Sequence, residues 1–454
     1  MASTTDLPYK MHVTPDNTGL WHIKQTDDAA KKVSELLQED IEKHHVFFNQ
    51  DGFHNHIPHH LLALYGTGAP ASALQSAYDS NATYQRATLP SHTTNKTTPL
   101  NLHPWPAAAA PYLGREEYYP DFLRFFQSEI ETIGNSSSWQ AVLTRYLFLS
   151  NDNDDLLVRL FAGFLHPLIQ LMYGVEWQQE AIVAEGLAQA AVHSAEIGGF
   201  LLGAERLAAA SSHAQQGQKT VMELMAEVRR DEKLAGAARN GDANKVRDGV
   251  LARAKEEMIA LAARVRVRPE EVEEKTAEMF DAAVFVAAAA AVGKEGKQPK
   301  FDFFLMHHVN SGPFFVTLNA QDWIPVETKA RLLEWKIRMD LLQYAARGAP
   351  ELSGEKLASY QPRKPNAGGS LAETIARLHT FPDDGHSIKL GRAAVICRNL
   401  CKKYEDEGKD WLVVKGDDMW DRVCHLIVDS VEAPGSTWVR STGFDEAWKD
   451  IPDV

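Results

Sequence analysis

Imidazole is the side chain in this sequence best suited to metal and proton chemistry, and its distribution is uneven. Of eighteen histidines, six fall between His44 and His60: His44, His45, His54, His56, His59 and His60, the last four ending in NHIPHH and running into the apolar segment LLALY. Three further motifs lie far downstream: FLHPLIQLMYG around His166, FFLMHHVNSGPFF around His307 and His308, and DDGHSIKL around His386. Neutral imidazole is the commonest nitrogen ligand of zinc, iron and copper. Histidines set in apolar runs at four separated places therefore predict one metal ion gathered in a buried pocket.

The spacing gives each motif a function and a plainer rival. Asn-His-Ile-Pro puts His56 at the mouth of a helix, with His59 and His60 in its first turn. The positive helix end there favours neutral imidazole, the ligand form; the rival is a polar loop whose rings only hydrogen-bond. His166 lies among Phe164, Leu165, Leu168, Ile169 and Leu171. A buried ring must satisfy both nitrogens, by hydrogen bonds or by a metal, so a satisfied core histidine explains it equally well. His307 and His308 are adjacent, hence about 100° apart on a helix. One can face a pocket while the other packs or donates, and spacing does not choose between them. His386 and Lys389 are three apart and share a helix face. An ammonium has no lone pair for a metal. A buried, deprotonated lysine can instead add carbon dioxide and present an anionic carbamate oxygen; the rival is a surface lysine beside a capping histidine.

Other signals are weaker. Gly66-Thr-Gly68-Ala-Pro-Ala fits a loose dinucleotide loop, but it follows a helical segment, and no acidic residue lies between Asp79 and Glu116 to hold a ribose. No H-E-x-x-H, Walker loop or G-x-S-x-G is present. Cys397 and Cys401, four apart on a helical pattern, read as ordinary buried thiols before they read as a redox or metal pair.

The elements that must position these groups are helical. Apolar spacing of three and four predicts a helix over 27–48, and Asn55 and Pro58 suit the start of a second that ends at Gly66 and Gly68. Residues 81–114 read as a long loop. Helices are predicted over 155–173, 301–318, 325–347, 371–379, 384–405 and 417–431, with an Ala-, Leu- and charge-rich helical stretch over 178–292 interrupted by HAQQGQKT and GAARNGDANKVRDG. WLVV at Trp411 is the best short strand. The fold class is all-α, one large helical domain over 1–454 with long loops and little β structure, since ligands from both ends would tie it together. A net charge of −14 gives no support to a nucleic-acid or anionic-membrane role. Three cysteines form no disulfide framework, the N-terminus lacks a signal-peptide pattern, and the apolar run 282–292 is too short to span a bilayer. A cytoplasmic protein is expected.

Taken in order, NHIPHHLLALYGTGA, FAGFLHPLIQLMYG, DFFLMHHVNSG and DDGHSIKL resemble the questin oxidase family of fungal aromatic polyketide pathways. The resemblance runs in short blocks from Phe53 to Leu390 and skips the section between Leu207 and Lys297. It implies an oxidoreductase that opens the ring of an anthraquinone, or its hydroquinone, by oxidative carbon–carbon cleavage to a benzophenone-type acid. The family is described both as NADPH-using Baeyer–Villiger oxidases and as non-heme iron dioxygenases. The iron description implies Fe(II) held by four histidines and a carboxylated lysine, and the matching positions are His56, His166, His307, His386 and Lys389. The carbamate would offset part of the metal charge, and five ligands would leave one octahedral position open. His308, His59 and His60 are then candidate proton donors, with Tyr65, Tyr173, Phe303, Phe304 and Phe314 candidates to line a flat pocket. The implied partners are an aromatic polyketide and dioxygen, with NADPH as an external reductant. Two alternatives stand beside this: an NADPH-dependent monooxygenase that inserts one oxygen, and a helical scaffold whose histidines are structural.

Overall fold

A helix that is apolar on every side has to be surrounded, and Ile57–Gly66 is one: each of its residues is buried. The same holds for His166–Glu176 and for Val272–Ala291, in which every residue from Thr276 onward is buried. The computed structural model describes residues 9–92, 100–133, 138–149, 154–210, 219–364 and 369–454. Among them the chain is all-α: helices follow one another without a strand, and only isolated bridges such as His44 to Ala87 and Phe47 to His54 occur. No single helix among the described residues is long and apolar enough to cross a membrane.

The chain divides into two compact units that interleave in sequence. One takes the chain up to Gly198 together with His379–Lys389; the other takes Gly199–Leu378 and Leu390–Val454. In the first unit, His166–Glu176 and Glu180–Val192 form the central helical hairpin, packed on Ile57–Gly66 and Tyr119–Ile133. The two arms touch backbone to backbone. A Cβ on Gly186 would lie 2.5 Å from the Cα of Leu171, and one on Gly174 would lie 2.7 Å from the amide nitrogen of Val183. In the second unit the alanine-rich helix Val272–Ala291 is the hub, with Phe303–Asn310, Gly312–Asn319 and Val326–Ala346 against it. Small side chains let neighbours approach it closely: the ring of Phe280 occupies the place a Gly312 side chain would need.

Three expectations are corrected. The helix expected over 155–173 is two helices, Asp154–Leu160 and His166–Glu176, bent by 67°. Gly163, Phe164 and Leu165 between them all take positive φ, of 52°, 55° and 68°, a conformation that no residue in a right-handed helix adopts. The helix expected over 301–318 breaks at Ser311 into Phe303–Asn310 and Gly312–Asn319. WLVV is not a strand, because the amides of Val413 and Val414 donate to the buried carboxylate of Asp281, at 2.8 and 3.1 Å, instead of to a neighbouring strand. Of the predicted interruptions, HAQQGQKT falls mostly outside the described residues, and part of GAARNGDANKVRDG winds into the helical turn Lys245–Val250. Cys397 and Cys401 lie 3.9 Å apart as buried thiols.

The hairpin contact yields a first expected outcome. Gly186→Val forces a branched side chain against Leu171 and should cost roughly 1–3 kcal/mol. Thermal unfolding of the purified chain should show a lowered midpoint; an unchanged midpoint would refute the close backbone approach.

Candidate metal centre

Desolvation decides the state of the histidines in the first unit. Burial penalises the imidazolium form, and it pushes His54, His56, His59 and His166 well below their ordinary values, and His60 and His193 down to about 4. A neutral ring carries one N–H and one lone pair, so its partners identify which nitrogen can bind a metal.

His56, His166 and His386 stand at three helix starts. His56 caps Ile57–Gly66, while His166 and His386 are the first residues of His166–Glu176 and His386–Asp406. The chain reaches these points by local devices. Asn55 accepts the Ile57 amide at 2.9 Å and donates to the buried Asp40 carboxylate at 2.9 and 3.1 Å, which pins the loop ahead of His56. The left-handed run at Gly163–Leu165 delivers His166. Gly385, with φ of 87°, lets the chain pass the ring of His60, whose Cβ and Cγ a Gly385 side chain would meet at 2.6 Å.

All three rings commit Nδ1–H to an acceptor. His56 donates to Asp384 Oδ2 at 2.9 Å, His386 donates to Asp384 Oδ1, and His166 donates to the Gly163 carbonyl at 2.6 Å. Asp384 is held well below the usual carboxylate range by the two imidazoles, against the effect of its burial. The lone pair therefore sits at Nε2 in each ring. Ligand atoms of the three residues lie within 4.8 Å of one another, and Nε2 of His56 is only 2.9 Å from Nε2 of His166. Two lone pairs at that distance repel unless a proton or a cation lies between them, and burial disfavours the proton. Histidine ligands with the far nitrogen donating to a carboxylate or carbonyl are the usual arrangement at metal sites. The donor set fits a transition-metal cation.

Lys389 follows one turn after His386 and is buried. Burial pushes it down to about 8, opposed by Asp384 and Asp383. Its charge bears on His56, His59, His60 and His166. Among the described residues, no hydrogen bond or ion pair to its amine is found.

The remaining candidates divide between the units. His59, on the Ile57–Gly66 helix, donates from Nε2 to Gln170 at 2.6 Å, and Gln170 in turn donates to Glu185 at 3.0 Å. Its Nδ1 is a buried lone pair without a partner among the described residues, so that nitrogen can only accept a hydrogen bond. His60 is buried beside Gly385. His307 and His308 belong to the second unit. His307 donates from Nδ1 to the Phe303 carbonyl at 2.5 Å, which leaves its lone pair at Nε2, as in the three rings above. His308 donates from Nδ1 to Asp340 at 2.5 Å, and Lys336 binds both oxygens of that carboxylate at 2.5 and 2.7 Å. Sequence reasoning missed Asp384, Gln170, Glu185, Asp340 and Lys336. The four-residue spacing of Lys336 and Asp340 within an apolar helical run was the one readable signal for the last pair.

Known proteins similar to this chain come from one family. The family model described as questin oxidase-like matches residues 53–394. A questin oxidase of Aspergillus fumigatus is 36% identical over 437 residues, covering 94% of this chain and 95% of that protein. The Baeyer–Villiger oxidase ptaJ of Pestalotiopsis fici is 36% identical over 94% of each chain. A questin oxidase of Aspergillus terreus is 33% identical over 99% of this chain and 98% of its own. The match to these proteins extends over nearly the whole length, and the chain belongs to the questin oxidase-like family.

Proposed function

We propose that this chain is an oxidoreductase that opens the ring of an anthraquinone, or of its hydroquinone, with iron at the histidine centre. The observation that carries the metal reading is the pair of Nε2 lone pairs of His56 and His166, 2.9 Å apart, each fixed by its Nδ1 partner. The names of the relatives support the substrate class and the oxidative chemistry. Iron would be held by His56, His166 and His386; His307 and a carboxylated Lys389 complete the set that the resemblance implies. When bound, iron supplies the one-electron chemistry that lets dioxygen react with an organic substrate.

The chain's own groups account for the rest. Asp384 orients two ligands with one carboxylate and places a negative charge beside the cation. His59, with its proton committed to Gln170, offers Nδ1 to a substrate hydroxyl. In the second unit, His308 gives its Nδ1–H to Asp340, which leaves its Nε2 as an acceptor. Lys389, without a partner among the described residues, is set up to add carbon dioxide in its neutral amine form, giving an anion where one more is needed. Hydroquinone and dioxygen together contain all the atoms of a hydroxylated benzophenone carboxylic acid. Baeyer–Villiger insertion, which the name of the Pestalotiopsis fici relative favours, would take one oxygen from dioxygen, two electrons from NADPH and the second oxygen from water at lactone hydrolysis.

Oxygen-18 gas separates the two routes. Two labelled atoms in one product molecule are expected; a single label with NADPH consumed in equal amount would replace the iron reading by the monooxygenase. Asp384→Asn should keep the fold but weaken iron retention by about 10- to 100-fold, read as metal per chain after dialysis; full retention would remove Asp384 from the site. Lys389→Ala should lose iron and activity, and added acetate or formate should restore part of both. Absence of rescue, together with no bicarbonate-derived label on wild-type Lys389, would reject the carbamate.

A further inference from the structure

One histidine pair in the first unit is left over from the ligand set. We propose that His54 is a positioning residue for the metal ligand His166, holding its ring in plane by stacking, and that His193 anchors His54; this rests on the metal reading above. The rings of His54 and His166 lie parallel, with centroids 3.9 Å apart and planes within 4°. Nε2 of His54 is 2.8 Å from Nε2 of His193. His193 gives its Nδ1–H to the Gln189 carbonyl at 2.6 Å, so its Nε2 can only accept. The proton between them therefore belongs to His54, which has the opposite tautomer from His56, His166 and His386. That tautomer separates His54 from the ligands: the nitrogen nearest a second histidine carries a hydrogen and not a lone pair.

The surroundings fix the pair closely. Phe47 packs its edge on His54, with centroids 5.2 Å apart, and lies 5.4 Å from His193. The Asn55 amide donates to the Val46 carbonyl at 2.8 Å and so holds the segment that carries His54. Gly163 serves both layers at once. Its carbonyl takes the Nδ1–H of His166, and a side chain on it would meet His193 Nε2 at 2.6 Å and His54 Cε1 at 3.1 Å. The hydrogen bond to the Gly163 carbonyl fixes the position of Nδ1 more tightly than the tilt of the ring plane. A flat ring at stacking distance sets that tilt and keeps Nε2 aimed where it faces His56.

The test is a titration of the chelator-stripped full chain with Co2+ alone, followed by its visible absorption, beside thermal unfolding of the metal-free forms. Wild type is expected to bind about one Co2+ per chain. His54→Ala should bind it about 10- to 100-fold more weakly and with altered ligand-field bands, at a nearly unchanged metal-free melting point. His54→Phe, which restores a flat ring without the hydrogen bond, should recover most of the affinity. Equal Co2+ binding by wild type and His54→Ala overturns the proposal and leaves the metal centre standing, as does a His54→Phe variant as weak as His54→Ala. If His54→Ala does not fold, His193→Ala at a half-buried position carries the test: weaker binding supports the anchor, and unchanged binding overturns it. Absence of Co2+ binding by well-folded wild type rejects the metal centre itself, and the positioning role falls with it.

Discussion

A buried imidazole cannot afford its charge, and that constraint organises the first unit of this protein. Once neutral, each ring must hand one proton to an acceptor and is left with one lone pair. The acceptors are therefore what the fold has to build. Asp384 serves His56 and His386, the Gly163 carbonyl serves His166, Gln170 serves His59, and the Gln189 carbonyl serves His193. The left-handed turn before His166 makes sense in these terms. It places a carbonyl three residues upstream beside the ring and still starts a helix at the ligand itself.

Helix starts recur at the site for a related reason. His56, His166 and His386 each stand where a helix presents unsatisfied amides and a partial positive charge. That potential disfavours imidazolium at His56 and His166 and favours an anionic group nearby. Asp384 is such a group, and it uses both carboxylate oxygens on the ligands. The second unit repeats the logic at His307 and His308, whose Nδ1 protons go to the Phe303 carbonyl and to Asp340.

The helical class, the helix beginning near Pro58 and the four histidine blocks were legible in the sequence because apolar periodicity and residue type carry them directly. The break before His166 was not. Phe164 and Leu165 are residues that avoid left-handed backbone, so nothing in their identity announces the turn, and only the neighbouring Gly163 and Pro167 hint at it. Strand propensity misled at Trp411 for a similar reason: Val413 and Val414 spend their amides on Asp281, a partner more than a hundred residues away. The acceptors behind the histidines were illegible as well. Gly163, Phe303 and Gln189 act through backbone carbonyls, which every residue possesses, and Asp340 lies thirty-two residues from the ring it orients. His54 sat in plain view among the clustered histidines, but stacking has no sequence signature.

The choice of lysine at position 389 follows from the same desolvation. A glutamate buried there would meet the same penalty, as at Glu185, which burial pushes up to about 8. An ordinary lysine, at 10.5, would cost about 5 kcal/mol to neutralise at pH 7, whereas burial at Lys389, which brings it down to about 8, reduces this to about 1.4 kcal/mol. At pH 7 the amine is then mostly protonated, with a neutral fraction of about one in ten able to add carbon dioxide. Addition of carbon dioxide to that amine would create the negative charge only in the company of the cation that stabilises it. On the proposed reading, a carbamate at Lys389 would make the pocket anionic only in the company of the cation.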